Sequence, residues 1–202
     1  MLFLFFGRIA FFRNFFGVVS KMKKKGYDDL VITVSGVGGA GKTTCAEIIS
    51  ELLGLRYVSA GMIFRKMAEE RGISIVELSL EAEKDDSIDR FIDDQTLKEA
   101  SLGGVVLDGR LTGIMVGEKA DLRILVMAPL NQRVKRIAKR DGLSLEEAKE
   151  QTLKRELSEN HRYKKIYGVE INDAENYDIA LNTEKFNPEK MEQIIKTIVK
   201  AL

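Results

Sequence analysis

Two hydrophobic rhythms alternate along this chain. Short runs of consecutive apolar, β-branched residues are followed by longer stretches in which apolar positions return every three to four residues. Leu30 to Val34 is a continuous run that predicts a strand buried on both faces. Thr44 to Leu53 has helical spacing. Leu55 to Ser59 predicts a second strand. Met62 to Arg71 and Val76 to Ala100 predict helices, broken by Gly72 and an N-cap in the Ser74 region. Gly104 to Asp108 and Leu122 to Met127 are the third and fourth strands. Pro129, a residue suited to a first helical position, opens a helix to Arg140 that stops near Gly142. Ser144 with Glu147 three residues on has the S-x-x-E form of a capping box and starts a helix to about Asn160. Tyr177 to Leu181 is a fifth strand. Asn187-Pro188 caps a last helix whose apolar face is Ile194, Ile195, Ile198 and Leu202. Five strands alternating with helices predict an α/β fold: a five-stranded parallel sheet with helices on both faces.

The first residues break this rhythm. Seven of the chain's 10 phenylalanines fall at Phe3, Phe5, Phe6, Phe11, Phe12, Phe15 and Phe16. Arg8 and Arg13 interrupt them, leaving no apolar run of about 18 residues for a membrane span. The charges also lie inside the apolar core rather than ahead of it, unlike a secretory signal. Residues 1–21 are expected to be an extension outside the fold, untranslated or disordered, with Met22 as the start of the folded part. A membrane-surface helix is the alternative, and a membrane partner follows only if that segment is translated and inserted. The remaining residues 22–202 suffice for one domain with a sizeable core.

Lys+Arg 32 against Asp+Glu 31 gives a net charge of +1, so whole-molecule charge calls for no nucleic-acid partner. No obligate protein partner is evident. The 1 cysteine, Cys45, permits no internal disulfide and suits a cytoplasmic, reducing compartment. It reads as buried filler in the first helix. The 1 histidine, His161, excludes metal sites built on two or more histidines.

The candidate chemistry lies between the first strand and first helix. Gly36, Val37, Gly38, Gly39, Ala40, Gly41, Lys42 and Thr43 spell G-x-x-x-x-G-K-[ST], followed by Thr44. Glycines let consecutive backbone N–H groups converge on a phosphate, and the helix N-terminus adds partial positive charge. Lys42 would reach the β- and γ-phosphates of a nucleotide, and the Thr43 hydroxyl would ligate Mg²⁺. Asp108, ending the third strand, is placed like a second acidic residue holding that metal through water. Ser59 and Gly61 sit at the carboxyl end of the second strand, where such sheets place ligands, with Arg65 a turn further on. Charge is unevenly spread: residues 66–99 carry five basic and eleven acidic side chains, and residues 133–165 eleven basic and six acidic. Arg133, Arg136, Arg140, Arg155 and Arg162 are candidates for neutralising a transferring phosphoryl group, two or three of them functional and the rest solvated.

From about Leu30 onward the chain resembles the archaeal-type cytidylate kinases of the nucleoside monophosphate kinase superfamily. The resemblance rests on an ordered set: the phosphate loop, Ser59 to Arg65, Leu107 to Gly113, Arg155 to Tyr163 with Ile166 to Val169, and Tyr177 to Thr183. Val37-Gly38 stands where these kinases often carry two prolines, a change in stiffness rather than in donors. The resemblance implies ATP–Mg²⁺ as phosphoryl donor and CMP or dCMP as acceptor, with an adenylate-type or other small-molecule kinase on the same scaffold as the alternative. It also implies a helical acceptor-binding insert at about 61–100 and a lid at about 140–168. Arg110 and Arg65 would hold the acceptor. Lys42, Arg155 and Arg162 would act on the transferring phosphoryl group. Base selection is expected from residues such as Gln95 or Asp94. A phosphate-loop switch is disfavoured, because no N-K-x-D guanine-recognition motif occurs.

Overall fold

The computed structural model describes residues 26–171 and 173–202. The phenylalanine-rich segment and its expected extension, with the Met22 start, lie outside the described residues. Five strands form one all-parallel sheet: β1 (Val31–Ser35), β2 (Arg56–Ser59), β3 (Val105–Gly109), β4 (Leu122–Met127) and β5 (Ile179–Asn182), in the order β2-β3-β1-β4-β5. β1 is central and buried along its length, as a continuous apolar run requires. Its register sets Val34 beside Asp108 and Ser35 beside Gly109, while Ser59 pairs with Asp108 from the other side. The carboxyl ends of β1, β2 and β3 therefore meet at one edge.

Helices cover both faces. On one, α1 (Lys42–Leu53) and α8 (Pro188–Lys200) pack Ala46, Ile49, Ile195 and Val199 against Ile32, Val34, Ile124 and Val126. Cys45 is buried there, and burial pushes its thiol up to about 12, which leaves it unreactive near neutral pH. On the other face, α4 (Ser87–Ser101) and α5 (Thr112–Val116) bring Ala100 and Val116 against Val31, Val105 and Leu107. α2 (Ala60–Arg71), α3 (Ile75–Ala82) and α4 share a smaller core around Phe64, Leu78 and Ile88. α6 (Leu130–Asp141) and α7 (Leu145–Tyr167) share one around Val134, Ala138 and Ala148.

Among the boundaries that differ from the sequence expectation, four have an evident physical setting. The helix expected over Val76 to Ala100 is two helices, α3 and α4, because the Asp85 side chain takes the Ser87 N–H at 2.9 Å and diverts the backbone into a turn. α7 runs seven residues past Asn160 to Tyr167, held by contacts of Arg162, Lys165 and Tyr167 with α4 and the turn before it. Pro129 is the N-cap of α6 rather than its first residue. Leu202 lies beyond α8 and is exposed; Met191 and Val199 take its place on the buried face. Ser74 with Glu77 and Ser144 with Glu147 both form complete capping boxes.

Candidate active site

The phosphate loop springs from β1 in the middle of the sheet. Gly36 is obligatory there: at φ 138°, a Cβ would lie 2.1 Å from the Val126 carbonyl oxygen. Gly39, at φ 75°, lies so close to α6 that its Cβ would be 2.7 Å from the Arg133 carbonyl oxygen. Lys42 folds back over the loop and donates to the Val37 carbonyl at 3.1 Å. Burial, then the Arg110 charge, pull its ammonium down to about 8, against the opposing pull of Asp108. Gly38, Gly39, Gly41, Lys42, Thr43 and Thr44 line one wall of a cleft of about 530 Å³, whereas Gly36, Val37 and Ala40 do not line it.

Asp108 is 3% exposed and organises the next wall. Its Oδ2 accepts from Thr43 Oγ1 at 2.9 Å, Tyr57 OH at 3.0 Å and Ser59 Oγ at 3.4 Å. Thr43 and Asp108, read separately from the sequence, are thus in contact. Hydroxyl and carboxylate oxygens are the hard donors that Mg²⁺ takes. Among the described residues no group of three or more His, Cys, Asp or Glu could cage a metal. The pair therefore fits an ion that also draws ligands from phosphates and water. Tyr57 was not singled out in the sequence, although it shares a face of β2 with Ser59 two residues on.

Ser59 caps α2, accepting from the Met62 N–H at 3.3 Å, and Gly61, Arg65 and Arg110 all line the same cleft. Arg110 reaches the loop itself: its Nη2 lies 3.2 Å from where a Cβ on Gly38 would be. It pairs with Glu159 at 2.8 Å, and its Nη1 is buried without a hydrogen-bond partner among the described residues. Glu159, 2% exposed, also accepts from Arg155 Nε at 2.9 Å, while the Arg155 guanidinium lies 5.5 Å from the Phe64 ring centroid. Burial lowers the Arg155 pKa, with Glu159 opposing. Arg162 is on the cleft wall but 1% exposed, and its Nη1 is held by both Asp89 oxygens at 2.7 and 2.6 Å. Its charge is answered by Asp89 of α4. Burial nevertheless raises the Asp89 pKa, outweighing Arg162.

From α4 the cleft is lined by Asp89, Ile92, Asp93 and Thr96 and not by Asp94 or Gln95, the residues expected to select the base. Asp93 accepts from Tyr167 OH, and burial pushes its carboxyl up to about 6. The basic residues of α6 separate. Arg140 pairs with its neighbour Asp141 at 2.6 Å. Arg133 and Arg136 lie against the phosphate loop, Arg133 also pairing with Glu156. Neither carboxylate partner, Asp89 or Glu159, was anticipated. Glu159 lies within the Arg155 to Tyr163 stretch, but its role as shared counter-ion depends on Arg110, distant in sequence.

A model of the cytidylate kinase-like family matches residues 31–185. The chain belongs to that family. It is 47% identical over 170 residues to a cytidylate kinase of Staphylothermus marinus, covering 84% of this chain and 96% of that one. A cytidylate kinase of Methanobrevibacter smithii is 44% identical over 174 residues, covering 86% of this chain and 100% of the relative. Similar solved structures are more distant in sequence. A shikimate kinase from Acinetobacter baumannii superposes with a TM-score of 0.58 at 18% identity over 87% of this chain and 96% of that one. An uncharacterised protein from Eubacterium ventriosum gives 0.63 at 14% identity over 86% and 99%. These neighbours show the phosphate-loop kinase fold that this member of the cytidylate kinase-like family adopts.

Proposed function

We propose that this cytidylate kinase-like protein transfers the γ-phosphoryl group of ATP to CMP or dCMP in the cytoplasm, as a step of pyrimidine nucleotide metabolism. The observation that carries the reading is the approach of Arg110 to Gly38, which joins the candidate acceptor arginine to the candidate donor loop in one cleft. The loop amides and Lys42 would hold the ATP phosphates, and Arg65, Arg110, Ser59 and Gly61 the acceptor monophosphate. Mg²⁺ bound at Thr43 and Asp108 would neutralise charge on the β- and γ-phosphates. The acceptor phosphate is itself an adequate nucleophile at neutral pH, so no side chain need act as general base. Arg155, released from Glu159, would meet charge developing on the transferring group. Residues 61–100 are assigned to acceptor binding, and residues 140–168 to a lid that limits water attack on ATP. A coupled assay with ATP–Mg²⁺ across CMP, dCMP, UMP, AMP and GMP tests the reading. Preference for CMP and dCMP is expected; preference for AMP, or ATP turnover indifferent to all five, would overturn it.

A further inference from the structure

A phosphate loop works by turning successive N–H groups inward, and each peptide that does so turns its carbonyl outward. Those carbonyls need partners of their own. Here each carbonyl from Val37 to Ala40 accepts from a cationic side chain. Val37 takes Lys42 Nζ at 3.1 Å, and Gly38 takes Arg133 Nη1 at 3.3 Å. Gly39 and Ala40 both take Arg136 Nη1, at 3.2 and 3.3 Å. The two arginines are one turn apart on α6, so a single helix face serves three consecutive carbonyls.

Both side chains make further hydrogen bonds. Arg133, 7% exposed, gives Nε to the Ala128 carbonyl at 3.0 Å and its fork to Glu156 of α7. Arg136 gives Nη1 to Thr183 Oγ1 at 2.8 Å and Nη2 to the Thr183 carbonyl at 2.9 Å. Thr183 Oγ1 in turn donates to the Ala40 carbonyl at 2.6 Å. Both guanidiniums are therefore engaged with the loop's carbonyls, Arg133 off the cleft and Arg136 at its wall. A carbonyl that accepts from a cation leaves its peptide N–H a stronger donor, and the Arg136 charge adds positive potential beside the cradle.

We propose that Arg133 and Arg136 are positioning residues that set the phosphate loop for the triphosphate of the donor nucleotide, and that they do not act on the transferring group. The inference rests on the loop binding the donor phosphates, as in the proposed function. Its test compares the full chain with Arg136→Gln, Arg136→Lys and the double variant Arg133→Gln/Glu156→Gln, which removes a buried charge pair together. Calorimetric affinities for ATP, inorganic triphosphate and CMP are measured beside kcat at saturating substrates and the melting temperature.

Arg136→Gln and the double variant should weaken ATP and triphosphate by about tenfold, with CMP affinity retained. Arg136→Lys should recover only part of the loss, because one ammonium cannot span the acceptors that a guanidinium fork reaches. Triphosphate affinity equal to that of the unaltered chain overturns the proposal, whatever happens to kcat or melting. Equal losses for CMP and triphosphate also overturn it, since they mean general loosening. An unaltered chain that binds neither ATP nor triphosphate would instead refute the loop assignment. One that binds both but prefers another acceptor would refute only the cytidylate reading.

Discussion

Lys42 carries its charge where burial resists it, and that sets two expectations. With an ordinary lysine value of 10.5 lowered to about 8, the ligand-free fold binds fewer protons than the unfolded chain between those limits. Stability from this group therefore rises as pH climbs from about 8 towards 10.5, and below 8 the fold bears the cost of the charge. Lys42→Ala should accordingly leave the melting temperature unchanged or raised at pH 7 while abolishing transfer; unchanged turnover would refute the loop's role. Nucleotide phosphates supply the anion that the lysine lacks, so binding ATP should restore its proton. Calorimetry at pH 9 in buffers of different ionisation heat should detect proton uptake, and Lys42→Arg should abolish it. Lys42, Thr43 and Asp108 were legible in the sequence because motif and strand end put them there. Tyr57 and Asp89 were not, because their roles are set by partners 51 and 73 residues away.

On α7, Arg155 and Arg162 lie two turns apart on one face, the spacing read from the sequence, yet their surroundings give them different fates. The Arg155 side chain is 20% exposed at the cleft and shares Glu159 with Arg110, so a phosphate can compete for it. Arg155→Ala should lower kcat by about 10² or more, by analogy with an arginine finger, with poor rescue by Arg155→Lys. The Arg162 side chain is 2% exposed against Asp89. Arg162→Ala strands a buried carboxylate and should cost about 3–5 kcal/mol in urea unfolding. Arg162→Met with Asp89→Leu should recover most of it. An unchanged unfolding midpoint with a collapsed kcat would mean that the pair opens on substrate binding. The same contact explains why the length of α7 escaped the sequence: its last seven residues are held from α4, and local propensity cannot report that. The capping box at Ser144 and the N-cap at Ser74, which are local, were legible. α5 was not, since its five residues carry too few positions to show a period.

For the molecule as a whole, the sheet, the cleft and every candidate site residue fall within residues 30–202, and the family match begins at residue 31. Relatives are covered over 96% and 100% of their own length by 84% and 86% of this chain, so the shared kinase needs only part of it. The fold does reach slightly ahead of β1. Leu30 is 8% exposed in the main core, the Val31 N–H donates to Asp121 at 2.8 Å, and a Cβ on Gly104 would lie 2.5 Å from the Asp28 carbonyl. These contacts make residues 28 to 30 part of the folded unit. A chain of residues 22–202 should match the full chain in kcat/KM and melting temperature. A chain beginning at Val31 should lose about 2 kcal/mol or more, the burial of one leucine together with the turn that seats it. Precipitation or lost activity of residues 22–202 would make the phenylalanine-rich segment part of the working enzyme. Vesicle flotation retained by the full chain and lost by the truncation would instead assign that segment to a membrane surface, with the kinase unit unchanged beside it.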